Sequence, residues 1–287
     1  MTERKSIFSG RRAVLATMHG KEQAIAPVFL NGLNLIVAPA RGVDTDALGT
    51  FSGEVPRRGT MLETAVAKAR LSMECARLPF GIASEGSFGP HPLFPVIPAG
   101  FELLALVDDE RGTTIHESLV IEDTNFAHLV AAPKEPIAKF LAHAGFPSHG
   151  LIVRPNVGGT EAAFARGIVD LPTLQSAIAA AAALSDDGCA RVDTDMRAHL
   201  NPTRMKSLAV LAKRLSDRLL RLCPLCKAPG WGRVKVIRGL PCKVCDTATE
   251  LVISEVFVCA ACAHEEERPR SDGLTHTGPA NCPWCNP

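Results

Sequence analysis

Eight of the ten cysteines fall after residue 222, in four Cys-x-x-Cys pairs: Cys223/Cys226, Cys242/Cys245, Cys259/Cys262 and Cys282/Cys285. A tight two-residue turn aims both sulfurs at one point. A second such turn completes the tetrahedron of thiolates in which structural zinc is held. In a chain kept reduced, pairs at this spacing read as metal ligands rather than disulfides, and eight cysteines imply two zinc sites. The intervals between pairs are 15, 13 and 19 residues. The first and last suit a ribbon hairpin, which joins the first two turns in one site and the last two in the other. An interleaved arrangement, first with third and second with fourth, is the alternative. Four thiolates leave zinc no open position for water, so both ions are expected to be structural, clipping a tail with little core of its own. Thioredoxin-like redox chemistry would want a single pair near a βαβ unit. His264 and His276 become ligands only if a cysteine pair goes unused. The isolated Cys75 and Cys189 are expected to be small buried side chains.

The composition sets the frame for these sites. With 46% apolar residues, 31 Lys+Arg against 30 Asp+Glu and a mean hydropathy of +0.12, the 287-residue chain is globular rather than disordered. Its longest strongly apolar stretch, around Ala177–Leu184, is far short of the ~18–20 residues that span a bilayer, and the first residues lack a signal-peptide core. A cytoplasmic protein is the expectation. A net charge of +1 supplies no global attraction for nucleic acid or anionic membrane. The tail from residue 223 carries seven Lys+Arg and seven Asp+Glu, and two zinc–thiolate centres would make it anionic. That argues against non-specific backbone binding, although a protein or RNA partner for the module is a further expectation. Its apolar runs, Val234–Ile237 and Leu251–Phe257, read as strands that could dock on the first domain or a partner.

Before residue 223, β-like runs alternate with helical patterns. Strands are expected at Ala13–Thr17, Leu35–Ala38, Phe80–Ser84, Phe101–Val107, Thr114–Ile121 and Leu151–Arg154. Helices are expected at about 21–31, 60–76, 134–144, 172–184 and 202–221, the last opened by Asn201 as N-cap and Pro202 at the first helical position. The segment 86–100 is too proline-rich for a central strand and reads as a surface loop. The expected organisation is an α/β domain over 1–222 followed by a zinc-ribbon module over 223–287.

Three places in that domain have residue types suited to phosphate chemistry. At Met18-His-Gly20-Lys21-Glu a strand ends and a helix begins, where backbone N–H groups and Lys21 favour an anion, although by itself Gly-Lys is better accounted for by an ordinary turn. Thr60 and Glu63 have the spacing of a capping box, which would leave Glu63 and Lys68 as solvated helix charges. Glu85 follows an apolar strand and precedes Gly86, at the kind of strand end where ligands collect in α/β sheets. It also suits a turn cap.

These segments, in this order, resemble the inosine/xanthosine triphosphate pyrophosphatase family. The likeness rests on Gly20-Lys21, on Thr60-x-x-Glu63-x-x-x-x-Lys68-Ala69, and on Leu78-Pro79 leading to Glu85-Gly86. Gly145-Phe146-Pro-Ser-His149-Gly resembles the family's base-recognition loop, and Arg197 and Arg204 keep the spacing of two cationic residues near its end. The resemblance implies a mixed-sheet fold of the inosine-triphosphatase type and a metal-dependent nucleoside triphosphate pyrophosphohydrolase. Within it, Glu63 and Glu85 would hold catalytic Mg²⁺, while Lys21, Lys68, Arg197 and Arg204 would neutralise the triphosphate. Phe146 would stack on the base and His149 would touch its edge. All of these are expected to share one cleft sized for a polyphosphate. The chain departs from the family at Ser84, His149 and Thr203, which stand where the family has an acid of its acidic pair, the loop Asp and a His; without the loop Asp, purine selectivity does not carry over. A catalytically inactive nucleotide-binding or adaptor protein is the alternative. The whole chain also resembles an uncharacterised bacterial family with the same two-part layout, through Gly145–Gly150, Asn201–Lys206 and Cys282–Pro287.

Overall fold

The computed structural model describes residues 6–45, 59–158 and 164–286. It forms a mixed α/β unit, Met1–Asp108 with His116–Leu215, and a second unit, Asp109–Ile115 with Ser216–Pro287. The second unit thus starts before the first cysteine and takes in a short piece of the earlier chain. Among the described residues no helix is long and apolar enough to cross a membrane.

The first unit is built on a five-stranded sheet of order β2-β1-β3-β4-β5, from β1 (Arg12–Ala16), β2 (Ile36–Pro39), β3 (Phe80–Pro90), β4 (Pro98–Asp108) and β5 (Thr113–Ile121), the last of which belongs to this unit from His116 onward. β1 runs parallel to both β2 and β3, and the connecting helices are α1 (Glu22–Leu33) and α2 (Met61–Ala76). Ala13, Val14, Leu15 and Ala16 are all buried, the continuous apolar run expected of a strand covered on both faces. α2 lays Ala65, Ala69 and Met73 on Val14, Ala16, Ala83 and Ala105. Small side chains on both surfaces let the helix approach closely. Gly81 completes the seat, since a Cβ there would fall 2.6 Å from Met73 Cγ and Sδ.

The expectation of a loop over 86–100 is corrected. β3 and β4 pair antiparallel from Phe80↔Asp108 out to Pro90↔Pro98, leaving only 91–97 as the connection. The two prolines occupy the terminal rung, where a missing N–H interrupts no ladder.

A second sheet, wholly antiparallel, has the order β6-β9-β7-β8: β6 (His128–Ala131), β7 (Leu151–Pro155), β8 (Ala165–Ile168) and β9 (Ala190–Thr194). Helix α3 (Ala138–Ala144) precedes β7. Helix α4 (Leu171–Ala183), N-capped by the Asp170 side chain, packs Leu174 and Ile178 on Val153, Ile168 and Val192. Both helices are among those expected, but of the four strands only β7 is. α5 (Pro202–Leu220) starts as the sequence indicates, with the Arg204 N–H donating to Asn201 Oδ1 at 2.9 Å.

The second unit carries an antiparallel meander of β10 (Gly232–Arg238), β11 (Val252–Val258) and β12 (Glu265–Pro269). Cys75 is exposed and Cys189 half-buried, so neither is the buried side chain expected.

Candidate functional site

The cysteines gather into two groups, Cys223/Cys226/Cys259/Cys262 and Cys242/Cys245/Cys282/Cys285, with all sulfurs of a group within 4.8 Å of one another. This corrects the consecutive pairing. Strand order is the reason: Gly232 pairs with Val258, so the first turn, before β10, and the third, after β11, share one end of the sheet. The second turn follows β10 at the other end, where Ser254 pairs with Pro269 and the chain leaves toward the fourth. Each turn closes alike, with the N–H of Lys227, Asp246, Ala263 and Asn286 donating to the carbonyl of Cys223, Cys242, Cys259 and Cys282 at 2.9–3.1 Å. Sulfur separations of 3.8 Å for Cys223–Cys262 and 3.6 Å for both Cys226–Cys259 and Cys245–Cys282 suit zinc. A tetrahedron with Zn–S bonds of 2.3 Å sets its sulfurs ~3.8 Å apart. Each group can therefore hold a metal ion such as zinc. His264 instead stacks on Trp231, with ring centroids 5.3 Å apart.

In the first unit, the turn after β1, helix α2, strand β3 and helix α5 converge on one small cleft lined by Thr17, His19, Lys21, Lys68, Glu85 and Arg204. It lies at the carboxyl end of β1, the position where open α/β sheets collect ligands. Lys21 Nζ donates to Ser84 Oγ at 2.9 Å, and Lys68 Nζ stands 2.7 Å from Glu85 Oε1, both residues being buried. Arg204 pairs with Glu102 across fully buried surface, and its Nη1 donates to the Met196 carbonyl. Gly86 makes room for that pair: a Cβ there would come within 2.5 Å of Arg204 Nη2 and 2.6 Å of Glu102 Oε1. Gly86→Ala should cost about 1–3 kcal/mol, read by chemical denaturation.

Burial, reinforced by the neighbouring Arg204 cation, lowers the Lys21 pKa from 10.5 to about 8. The unfolded chain therefore binds a proton at this group that the folded chain has released between about pH 8 and 10.5. Stability contributed through Lys21 rises with pH over that window. Relative to Lys21→Met, the wild type should gain stability between pH 7.5 and 9.5 in paired urea titrations.

Glu63 is not part of this cluster. Its Oε2 accepts from the Thr60 N–H at 2.8 Å and the Thr60 hydroxyl at 2.9 Å, and these bonds hold its carboxyl below the ordinary value. The capping-box reading describes its surroundings, and the expected meeting of Glu63 with Glu85 is corrected. Lys68, five residues on, faces roughly 140° away around the helix. Thr60→Ala should destabilise by about 1 kcal/mol in thermal melts.

Three other expected residues also have partners elsewhere. Phe146 packs against the core of the second sheet. His149 Nε2 meets Thr203 Oγ1 at 2.9 Å, and its Nδ1 meets Ser148 Oγ at 3.0 Å. Arg197 pairs bidentately with the fully buried Asp195. Gly20 adopts a left-handed φ of 69° that turns the chain from β1 into α1.

Sequence reasoning missed Glu102 and His199. A single acid inside the apolar run 101–107 was the available signal for the first. His199 stacks on His19 with centroids 5.1 Å apart, and burial together with Arg197 lowers its pKa.

As a magnesium site the donor set does not fit. Among the described residues only the cysteines form a cluster of three or more metal-ligating groups, and Glu85 Oε1 already faces Lys68. The cavity, about 30 Å³, is the size of a water or two rather than of a polyphosphate, which corrects the expected dimensions.

A family model described as a domain of unknown function (DUF6671) matches residues 68–287, a span that includes Lys68, Glu85, Arg204 and the eight paired cysteines. No curated protein matches the chain.

Proposed function

Because the chain belongs to the DUF6671 family, whose description assigns no activity, its function has to be read from the cleft, and we propose that the first unit is a nucleoside triphosphate pyrophosphohydrolase. One observation carries this reading: Lys21, Lys68, Arg204 and Glu85, drawn from four separate elements, meet at the carboxyl end of a parallel strand. The resemblance of the same segments to inosine/xanthosine triphosphate pyrophosphatases supports it, as does the mixed sheet. The zinc module supplies no open coordination position and serves structure.

The three cations outnumber the two carboxylates, Glu85 and Glu102, so the cleft favours an anion. An entering phosphate competes with Glu85 for Lys68 and widens the cavity as that ion pair opens. The released Glu85 carboxylate then accepts a proton from a water whose oxygen attacks the α-phosphorus. The bond from that phosphorus to the bridging oxygen breaks, and pyrophosphate leaves with the charge that Lys21 and Arg204 stabilise. Positioning and charge neutralisation carry most of the rate in such reactions.

The test is pyrophosphate release from a panel of nucleoside triphosphates with Mg²⁺ in the assay. Activity is expected with at least one of them, and should be lost in Lys21→Met and Glu85→Gln. A wild type inert across the panel overturns hydrolysis. The tight Lys68–Glu85 pair and the placement of Glu63 outside the cleft favour a second reading, a nucleotide-binding adaptor whose zinc module recruits a protein or RNA partner. Inert protein that still binds a nucleotide, and loses it in Lys21→Met, supports that reading.

A further inference from the structure

Between α2 and β2 lies a pocket of about 470 Å³ that shares no lining residue with the Lys21 cleft. Its floor is the sheet face on which α2 packs: Val14 belongs to that core, and Ala38, its partner on β2, points the same way. Ser72 and Cys75, three residues apart on one face of α2, form the wall together with Leu78. A volume of this size is in the ~300–1,000 Å³ range of small-molecule sites.

Ser72 is fully buried, yet its Oγ has no hydrogen-bond partner. Folded proteins pair nearly all such atoms, so an orphaned hydroxyl on a pocket wall marks a place for a ligand's polar group. The charges here have one sign: Arg12 and Arg41 line the pocket, and no carboxylate is among its described lining residues. Neither guanidinium forms an ion pair among the described residues. The two cations stand at opposite ends. Arg12 opens β1 opposite Ile36, whereas Arg41 follows Ala40, whose N–H donates to the Leu15 carbonyl at 2.9 Å. The strand between those two levels is roughly 13 Å long.

We propose that this pocket binds a small organic dianion, a dicarboxylate or a phosphorylated carboxylate, with one charged end on Arg12, the other on Arg41 and a hydrogen-bonding group between them on Ser72 Oγ. Guanidinium forks match the oxygens of carboxylate and phosphate bidentately. Val14, Ala38 and Leu78 cover the carbon skeleton between the charged ends. Cys75 is exposed on the wall, toward the Arg12 end, because α2 leads into β3, whose Gly81 pairs with Val14. Its thiol therefore reports whether the pocket is filled.

Alkylation of Cys75 by iodoacetamide in the full chain, followed by peptide mass spectrometry at fixed ionic strength, tests this. 3-Hydroxyglutarate or 3-phosphoglycerate should slow it saturably, at least about tenfold more potently than the singly charged butyrate, while Cys189 keeps its rate. The more potent of the two dianions identifies the end group. Arg12→Gln and Arg41→Gln should each raise the half-protecting concentration about tenfold. Both positions are exposed, and circular dichroism melts check that the variants fold. Ser72→Ala should abolish any preference for 3-hydroxyglutarate over glutarate, which lacks the middle hydroxyl. Absence of protection by both dianions at millimolar concentration overturns the proposal. So does butyrate of equal potency, or protection that survives unchanged in both arginine variants.

Discussion

A chain carrying Cys226→Ser and Cys245→Ser together should lose zinc from both sites, whereas one carrying Cys226→Ser and Cys259→Ser should keep the ion of its other site. The two doubles remove equal numbers of ligands and differ only in grouping. Interleaved sites place Cys226 with Cys259 and Cys245 with Cys282. Consecutive sites would give the first double an intact site and the second none, the reverse outcome. The effect is large because binding of a structural zinc, worth about 10–16 kcal/mol in small modules, is also the folding energy of the unit it closes. Both tryptophans of the chain, Trp231 and Trp284, belong to the second unit and there is no tyrosine, so intrinsic fluorescence follows that unit alone. Metal analysis of each double, with chelator titration followed by tryptophan emission, reads the prediction.

Arg204→Met should be the most damaging single substitution in the first unit. It leaves Glu102, fully buried, without its guanidinium partner, a loss of the kind that costs about 3–5 kcal/mol. Adding Glu102→Met removes the stranded charge and should recover most of that stability, because a buried ion pair replaced whole by apolar groups is often neutral. Urea denaturation followed by far-UV circular dichroism separates the two variants. Neither is expected to bind phosphate. Recovery of stability without recovery of binding would show that the pair serves the cleft rather than the core.

Much of this was legible along the chain because its signals are local. The capping box at Thr60, the Asn201-Pro202 start and the apolar run of β1 each report on a few neighbouring residues. The cysteines announced their chemistry by spacing, yet their grouping follows from which strands pair, a relation that no interval between turns encodes. Glu102 escaped notice because its partner is 102 positions away. β9 was missed because Arg191 and Asp193, on its outer face, mask the inward Ala190, Val192 and Thr194. Glu63 and Glu85 looked alike as acids at useful positions. Geometry separated them, leaving one as a helix cap and the other beside three cations.

Calorimetric titration of a nucleoside triphosphate into the full chain at pH 7, compared with Lys21→Met, tests the cleft most directly. Lys21 is charged there and becomes neutral as the pH passes about 8, so the wild type should bind at pH 7 and weaken at pH 9. Lys21→Met should bind at least about tenfold more weakly at pH 7 and show a flatter pH response. Equal affinity in the two proteins, or no binding by the wild type, would contradict the account.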